Sequence, residues 1–230
     1  MESDNTVLYA ASVAPLKDQK LYRQAYSYAS SERRKKADSY RFEKDKCLCI
    51  GAELLLQYGL RSVNERMPAF CMKTNSYGKP ALDGLNLHFN ISHSEDWAVC
   101  AVSDHEVGCD IEKIKSADIK IAERFFCPEE YVHITEQVSA DERNLLFYRY
   151  WTLKESFMKA TGLGMNLPLD AFQIQLGESI RVKQSLDQRT YSFEEFDTIS
   201  GYCCSVCSIG DVPKVQLKIL DLSQTLSYIR

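Results

Sequence analysis

One order of elements occurs twice along the chain, and it limits the available folds more than any other feature. Val7–Ala11 reads as a strand, and the pattern from Leu21 to Gly59 is helical, with Ser30 or Ser31 able to cap a helix that begins Glu32-Arg33-Arg34. Tyr77-Gly78-Lys79-Pro80 signals a turn, and Leu87–Ile91 and Trp97–Val102 read as paired strands joined by the polar loop Ser92–Asp96. The second round opens with a strand at Val107–Ile111. Helical stretches follow at Ile119–Phe126 and Asn144–Thr161, the latter stopped by Gly162-Leu163-Gly164. Ala171–Leu176, Arg181–Val182, Tyr191–Phe196 and Tyr202–Ser208 then read as strands. Strand, helices, antiparallel strands, twice over, predicts an α+β fold of two similar lobes meeting near residue 103, with lobes at 1–102 and 103–230. No strict sequence repeat accompanies the pattern, and no low-complexity linker separates the halves, so tight packing between them is expected.

Composition narrows the function. The 230 residues are 45% hydrophobic and 26% charged, as expected of a folded soluble protein. A formal net charge of -4 argues against a nucleic-acid binder that relies on overall charge, so any anion site must be a local cluster. The start, Met1-Glu2-Ser3-Asp4, lacks the basic and apolar segments of a secretory signal, and no run approaches the ~18–20 apolar residues that span a bilayer. The nine cysteines are odd in number and mostly sit in apolar runs. They read as reduced, buried thiols of a cytoplasmic protein without a membrane partner. A zinc site at Cys203, Cys204 and Cys207 would need a fourth ligand, and none is nearby.

The stretch Val107-Gly108-Cys109-Asp110-Ile111-Glu112-Lys113 carries the most chemistry. On a strand, alternate side chains share a face, which puts Asp110 and Glu112 side by side ~6–7 Å apart and turns Cys109 and Ile111 to the other side. Paired carboxylates repel unless a cation lies between them, and magnesium suits two acids plus substrate phosphate. Alone, the pair also fits a solvated edge strand. Further on, Trp151, Glu155 and Lys159 recur at spacings of four, on one helix face. A surface Glu155–Lys159 pair would be worth only ~0.3–0.5 kcal/mol. A carboxylate one turn from tryptophan is instead expected to be part-buried and to seek a metal or cation, as a third oxygen ligand or as a base.

With these stretches in hand, the chain resembles the 4′-phosphopantetheinyl transferases of the larger, two-lobed Sfp type. The resemblance covers most of the chain. It rests on Tyr77-Gly78-Lys79-Pro80, Phe89-Asn90-Ile91-Ser92-His93-Ser94, Val107–Glu112 and Trp151-Thr152-Leu153-Lys154-Glu155-Ser156-Phe157-Met158-Lys159, in that order. It implies two lobes related by pseudo-two-fold symmetry, a first that binds the nucleotide of coenzyme A and a second that holds magnesium, the catalytic helix and the carrier-protein dock. It implies that Asp110, Glu112 and Glu155 surround magnesium and that a carrier-protein serine attacks the pantetheine-side phosphorus, releasing adenosine 3′,5′-bisphosphate. Lys159 then contacts the phosphates beside Glu155, with Lys154 a weaker candidate. Ser92 and His93 bind phosphate, His93 near the 3′-phosphate, and Lys79 lies near the adenine nucleotide.

Arg33, Lys36 and their neighbours form the only dense basic run, interleaved with Glu32, Asp38, Glu43 and Asp45. A solvated face would look the same. Arg33 and Lys36, three apart, match family positions for the 3′-phosphate. Cys47-Leu48-Cys49 departs from the family, whose members often carry a basic or hydroxyl residue there; Lys46 could substitute. The partner implied is an apo acyl or peptidyl carrier protein of nonribosomal peptide or polyketide synthesis, docking between Arg124 and Thr161 with no residue singled out. A nucleotide phosphohydrolase and a non-catalytic coenzyme A module are the rivals. The trimeric carrier-protein synthases are about half as long, which favours a monomer here.

Overall fold

The structure, a computed structural model, describes residues 6–63, 71–211 and 214–229. The acidic start Met1–Asp4 lies outside them. The fold is α+β. The first half contains β1 (Thr6–Ser12), α1 (Gln19–Tyr28), α2 (Ser31–Ser39), α3 (Glu43–Val63), β2 (Cys71–Thr74), β3 (Pro80–Asp83), β4 (His88–Ser94) and β5 (Trp97–Ser103). The second contains β6 (Val107–Lys113), α4 (Ile119–Phe125), α5 (Pro128–Thr135), α6 (Ala140–Thr161), β7 (Gln173–Gln175), β8 (Arg181–Lys183), β9 (Tyr191–Phe196) and β10 (Tyr202–Ile209), followed by β11 (Gln216–Ile219) and α7 (Leu222–Ile229).

Local chemistry explains where the elements break. The helical run expected over 21–59 is three helices, because Asp18 caps α1 through the Leu21 amide and Ser30 caps α2 through that of Arg33. The second long helix, α6, starts earlier than expected. Ser139 and Glu142 exchange side-chain and backbone hydrogen bonds there, a capping box visible in the sequence as Ser-x-x-Glu. The polar loop expected at Ser92–Asp96 is mostly strand. β4 runs through Ser94 and turns at Glu95-Asp96, with Glu95 at φ 52°.

Two sheets organise the molecule, one ordered β11-β1-β5-β4 and one β6-β10-β9. The division at 103 needs correction, since the end of the chain returns to the first lobe. β11 pairs in parallel with β1, Val7 opposite Gln216 through Ala10 opposite Ile219, and α7 buries Leu222, Leu226 and Ile229 in the core around α3. A row of unpaired backbone groups on β1 is thereby satisfied.

Strand alternation splits each central strand between two cores. Tyr9 and Ala11 of β1 face the helices of the first lobe, while Leu8 and Ala10 face the second sheet. Val107, Cys109 and Ile111 of β6 complete this inter-sheet core with Val99, Ala101, Cys204 and Val206. Each buried aliphatic side chain here contributes roughly 1.5–3 kcal/mol, so the halves are joined by a true core. The opposite face of β6 turns to α6. At Gly108 the contact is so close that a Cβ would lie 2.1 Å from the Ser156 carbonyl oxygen and 2.4 Å from the Ala160 nitrogen. Only glycine allows that approach.

Candidate functional site

β4 and β6 lie side by side between the sheets, joined largely through side chains. Asn90 Oδ1 accepts the Cys109 amide at 2.9 Å, Ser92 Oγ donates to Asp110 Oδ1 at 2.7 Å, and Ser94 Oγ donates to Glu112 Oε2 at 2.8 Å. Alternate residues of Asn-Ile-Ser-His-Ser thus meet β6, Asn90 at its backbone and Ser92 and Ser94 at its acids. The same alternation puts His93 on the other face, where it is exposed.

Asp110 is 3% exposed. Its Oδ1 also pairs with Lys159 Nζ at 2.6 Å, and Lys159 donates further to Ser92 Oγ at 3.1 Å and to the Cys109 carbonyl at 3.2 Å. Burial, the largest single influence, works to lower the pKa of Lys159, but the charge and hydrogen bond of Asp110 together with Cys109 and Glu155 outweigh it and the net shift is upward. Burial raises the pKa of Glu112, and the charges of Asp110 and Glu155 add to this while Ser94 and Lys159 oppose it. Glu155 is raised likewise, by burial first and then by Asp110. Three carboxyls therefore act on one another, and one lysine offsets part of their charge.

Among the described residues, no three His, Cys, Asp or Glu side chains form a ready-made metal cluster. Asp110 Oδ1 is committed to Lys159 and Ser92. Two observations fit a divalent cation nonetheless. Asp110 Oδ2 is buried without any hydrogen-bond partner, a costly state for a carboxylate oxygen. The donor set is also all oxygen, which suits a hard cation.

Beside the acids opens a cleft with a volume near 350 Å³, whose lining includes Arg33, Lys36, Cys49, Ser92, His93 and Lys159. It gathers five residues expected to touch coenzyme A. Arg33 is braced by Glu53, Nε to Oε2 at 3.2 Å, and Glu53 Oε1 accepts Gln57 Nε2 at 3.2 Å. Although its outer edge is exposed, His93 lines the cleft, and its pKa is lowered first by partial desolvation there and then by the charges of Lys159 and Lys36. Cys49 stands in the cleft wall, and Lys46 pairs with Glu43 at 2.7 Å instead of lining it. A second cavity, near 340 Å³, opens beside Thr6, Tyr9 and Ser103 and contains none of the expected residues.

Lys79 is not in that lining. Its Nζ donates to the carbonyls of Val107 and Ala160, each at 3.1 Å, so the ammonium is spent on backbone. Lys154 is fully buried, paired with Glu130 at 2.8 Å and bonded to the carbonyls of Leu169 and Phe172. That makes it a structural cross-link and removes it from phosphate contact; a lysine between Leu153 and Glu155 in a helix gave little sign of this. Phe126 is core, whereas Phe125 is exposed under Arg124, 5.0 Å from ring centroid to guanidinium carbon. Cys203 and Cys204 point to opposite faces of β10, which separates the cysteines weighed for zinc.

A family model described as the 4′-phosphopantetheinyl transferase superfamily matches residues 106–207. The 4′-phosphopantetheinyl transferase gsp of Aneurinibacillus migulanus is 39% identical over 162 residues, 70% of this chain and 67% of that protein. The 4′-phosphopantetheinyl transferase psf-1 of Bacillus pumilus is 32% identical over 232 residues, covering 96% of this chain and 97% of the relative. The Sfp protein of Bacillus subtilis strain 168 is 34% identical over 79% of this chain and 83% of its own length. Likeness at this level, over nearly the whole of both chains, places the protein in the 4′-phosphopantetheinyl transferase superfamily, among its Sfp-type members.

Proposed function

We propose that the enzyme transfers 4′-phosphopantetheine from coenzyme A to a serine of an apo acyl or peptidyl carrier protein, at the seam between β4, β6 and α6. The observation that carries this reading is the partnerless, buried Oδ2 of Asp110, one of three interacting carboxyls behind Ser92 and Lys159 in the wall of a basic cleft. Asp110, Glu112 and Glu155 would hold magnesium. When bound, the ion offsets charge that grows on the leaving oxygen as the pyrophosphate breaks.

The chain's own residues do the rest. Arg33, Lys36 and His93 bind the phosphates of the nucleotide end, with Arg33 held in position by Glu53. Lys159 draws phosphate oxygens toward the acids and neutralises Asp110 when no substrate is present. The serine oxygen forms a bond to the pantetheine-side phosphorus, the bond from that phosphorus to the bridging oxygen breaks, and adenosine 3′,5′-bisphosphate departs. A second role for Glu155, as base toward the serine proton, is favoured by its raised pKa, because a carboxyl nearer neutrality accepts protons more effectively. Lys79, expected near the nucleotide, has no part in this reading.

The first lobe serves the nucleotide, and the second serves the metal, catalysis and carrier docking. The enzyme works as a monomer in the cytoplasm, in support of nonribosomal peptide or polyketide synthesis. Eight buried cysteines in the structure are free thiols, which suits a reducing compartment. Among the described residues no helix is long and apolar enough to cross a membrane. Mixing the protein with coenzyme A, magnesium and apo carriers of each type should add one phosphopantetheine mass to at least one of them. Coenzyme A hydrolysis with no carrier modified would contradict the reading.

A further inference from the structure

We infer that the turn Asn75–Lys79 of the first lobe is the C-terminal cap of α6, and that Asn75 and Lys79 are positioning residues for Glu155 and Lys159. The inference rests on the roles proposed above for those two side chains.

The last carbonyls of a helix have no partner within it. α6 ends at Thr161 and leaves through Gly162 in the left-handed region, φ 73°. Its terminal carbonyls are met from the other half of the molecule. Lys79 Nζ donates to Ala160 O at 3.1 Å, and Asn75 Nδ2 donates to Gly162 O at 2.9 Å. The same Lys79 ammonium donates to Val107 O at 3.1 Å, immediately before Gly108, where β6 touches α6 most closely. One cation therefore ties the strand of Asp110 and Glu112 to the helix of Glu155 and Lys159. Its positive charge also complements the negative end of the helix dipole.

The turn is built to hold that position. Asn75 Oδ1 accepts the amides of Tyr77 and Lys79, both at 2.9 Å, and the Asn75 amide donates to the Lys79 carbonyl at 2.9 Å. Gly78 supplies the positive φ, 87°, that closes it. A Cβ on Gly162 would come within 2.9 Å of Asn75 Nδ2, so the turn seats directly on the helix end. Burial lowers the pKa of Lys79, as expected for an ammonium enclosed between two chain segments. The adjacent Pro80 lines the coenzyme A cleft while Lys79 turns away from it.

Two variants separate this role from nucleotide contact. Lys79→Met removes the bridging cation. Asn75→Asp keeps the oxygen that shapes the turn but loses the donor to Gly162 and sets a negative charge at the helix end. Steady-state transfer kinetics and amide hydrogen exchange across residues 155–162 are measured on the full chain. In both variants kcat should fall about tenfold or more while KM for coenzyme A changes less than about twofold, as misplacement of reacting groups requires. Exchange at the end of α6 should speed up about tenfold. Lys79→Arg should recover part of kcat. A rise in KM for coenzyme A with normal kcat and normal exchange would make Lys79 a nucleotide contact and overturn the inference. So would unchanged exchange in both variants. The exchange arm needs no transferase activity, so it fails or succeeds independently of the reaction assigned to the site.

Discussion

Gly108→Ala is the sharpest probe of how the site is held. The alanine Cβ would sit 2.1 Å from Ser156 O and 2.4 Å from Ala160 N, both backbone atoms of α6. Ordinary contact begins near 3.4 Å, so helix and strand must separate by about 1.3 Å at this point, the difference between the two distances. Over-packing of this kind costs typically 1–3 kcal/mol, and rigid backbone on both sides argues for the upper end, about 3 kcal/mol. For a chain of this size each kcal/mol lowers Tm by roughly 2–4 °C, so a fall of about 6–12 °C is expected by calorimetry. A shift near 1 Å carries Glu155 and Lys159 away from Asp110, and misplacement on that scale costs about 100-fold in rate. Coenzyme A binding through Arg33 and Lys36, the contacts proposed for its nucleotide end in the other lobe, should weaken far less. A variant with unchanged Tm and unchanged kcat would refute the claim that the Gly108 contact sets the register of the acids.

Three further outcomes follow from the same geometry. Lys154→Met leaves the buried Glu130 charge with backbone amides but no counter-ion, so stability should fall by about 3 kcal/mol in denaturant titration, whereas a phosphate-binding lysine would instead raise KM for coenzyme A. Glu155→Gln should abolish transfer yet stabilise the metal-free protein at pH 8. A carboxyl whose folded pKa is raised opposes folding above that pKa, and the amide removes the penalty; a lower Tm at pH 8 would contradict this. His93 has a lowered pKa and so carries little proton at neutral pH, while a bound phosphate would pull that pKa back up. Coenzyme A affinity should therefore rise as pH falls through the histidine range, and His93→Asn should flatten that slope in calorimetric titration.

What could be read from the chain followed from periodicity. A period of two put Asp110 and Glu112 on one face of a strand and Cys109 and Ile111 on the other, and the structure has them so. The helical spacing of Glu155 and Lys159 likewise brought both to that face of β6. Less legible was whatever depends on distant partners. Lys154 and Lys159 look alike in sequence, yet one is enclosed by Glu130 and the other stands beside Asp110, because they leave α6 on different sides. Lys79 lies next to a cleft-lining proline but spends its charge on carbonyls from the other half of the chain. β11 has four residues, too few for a periodicity, and exists because β1 offers an open edge. Ser92 and His93 looked like loop for want of turn residues to mark the end of β4; the turn is Glu95-Asp96, held by Lys44 and Lys115 on Glu95.

The central claim is that Asp110, Glu112 and Glu155 share one divalent cation when coenzyme A is bound. Anomalous diffraction from crystals grown with manganese and coenzyme A tests it directly. One strong peak within bonding distance of oxygens from all three side chains and of a pyrophosphate oxygen is predicted, with Lys159 drawn off Asp110 toward phosphate. Coenzyme A seated in the cleft with no peak between those acids, or with the ion elsewhere on the protein, would contradict it.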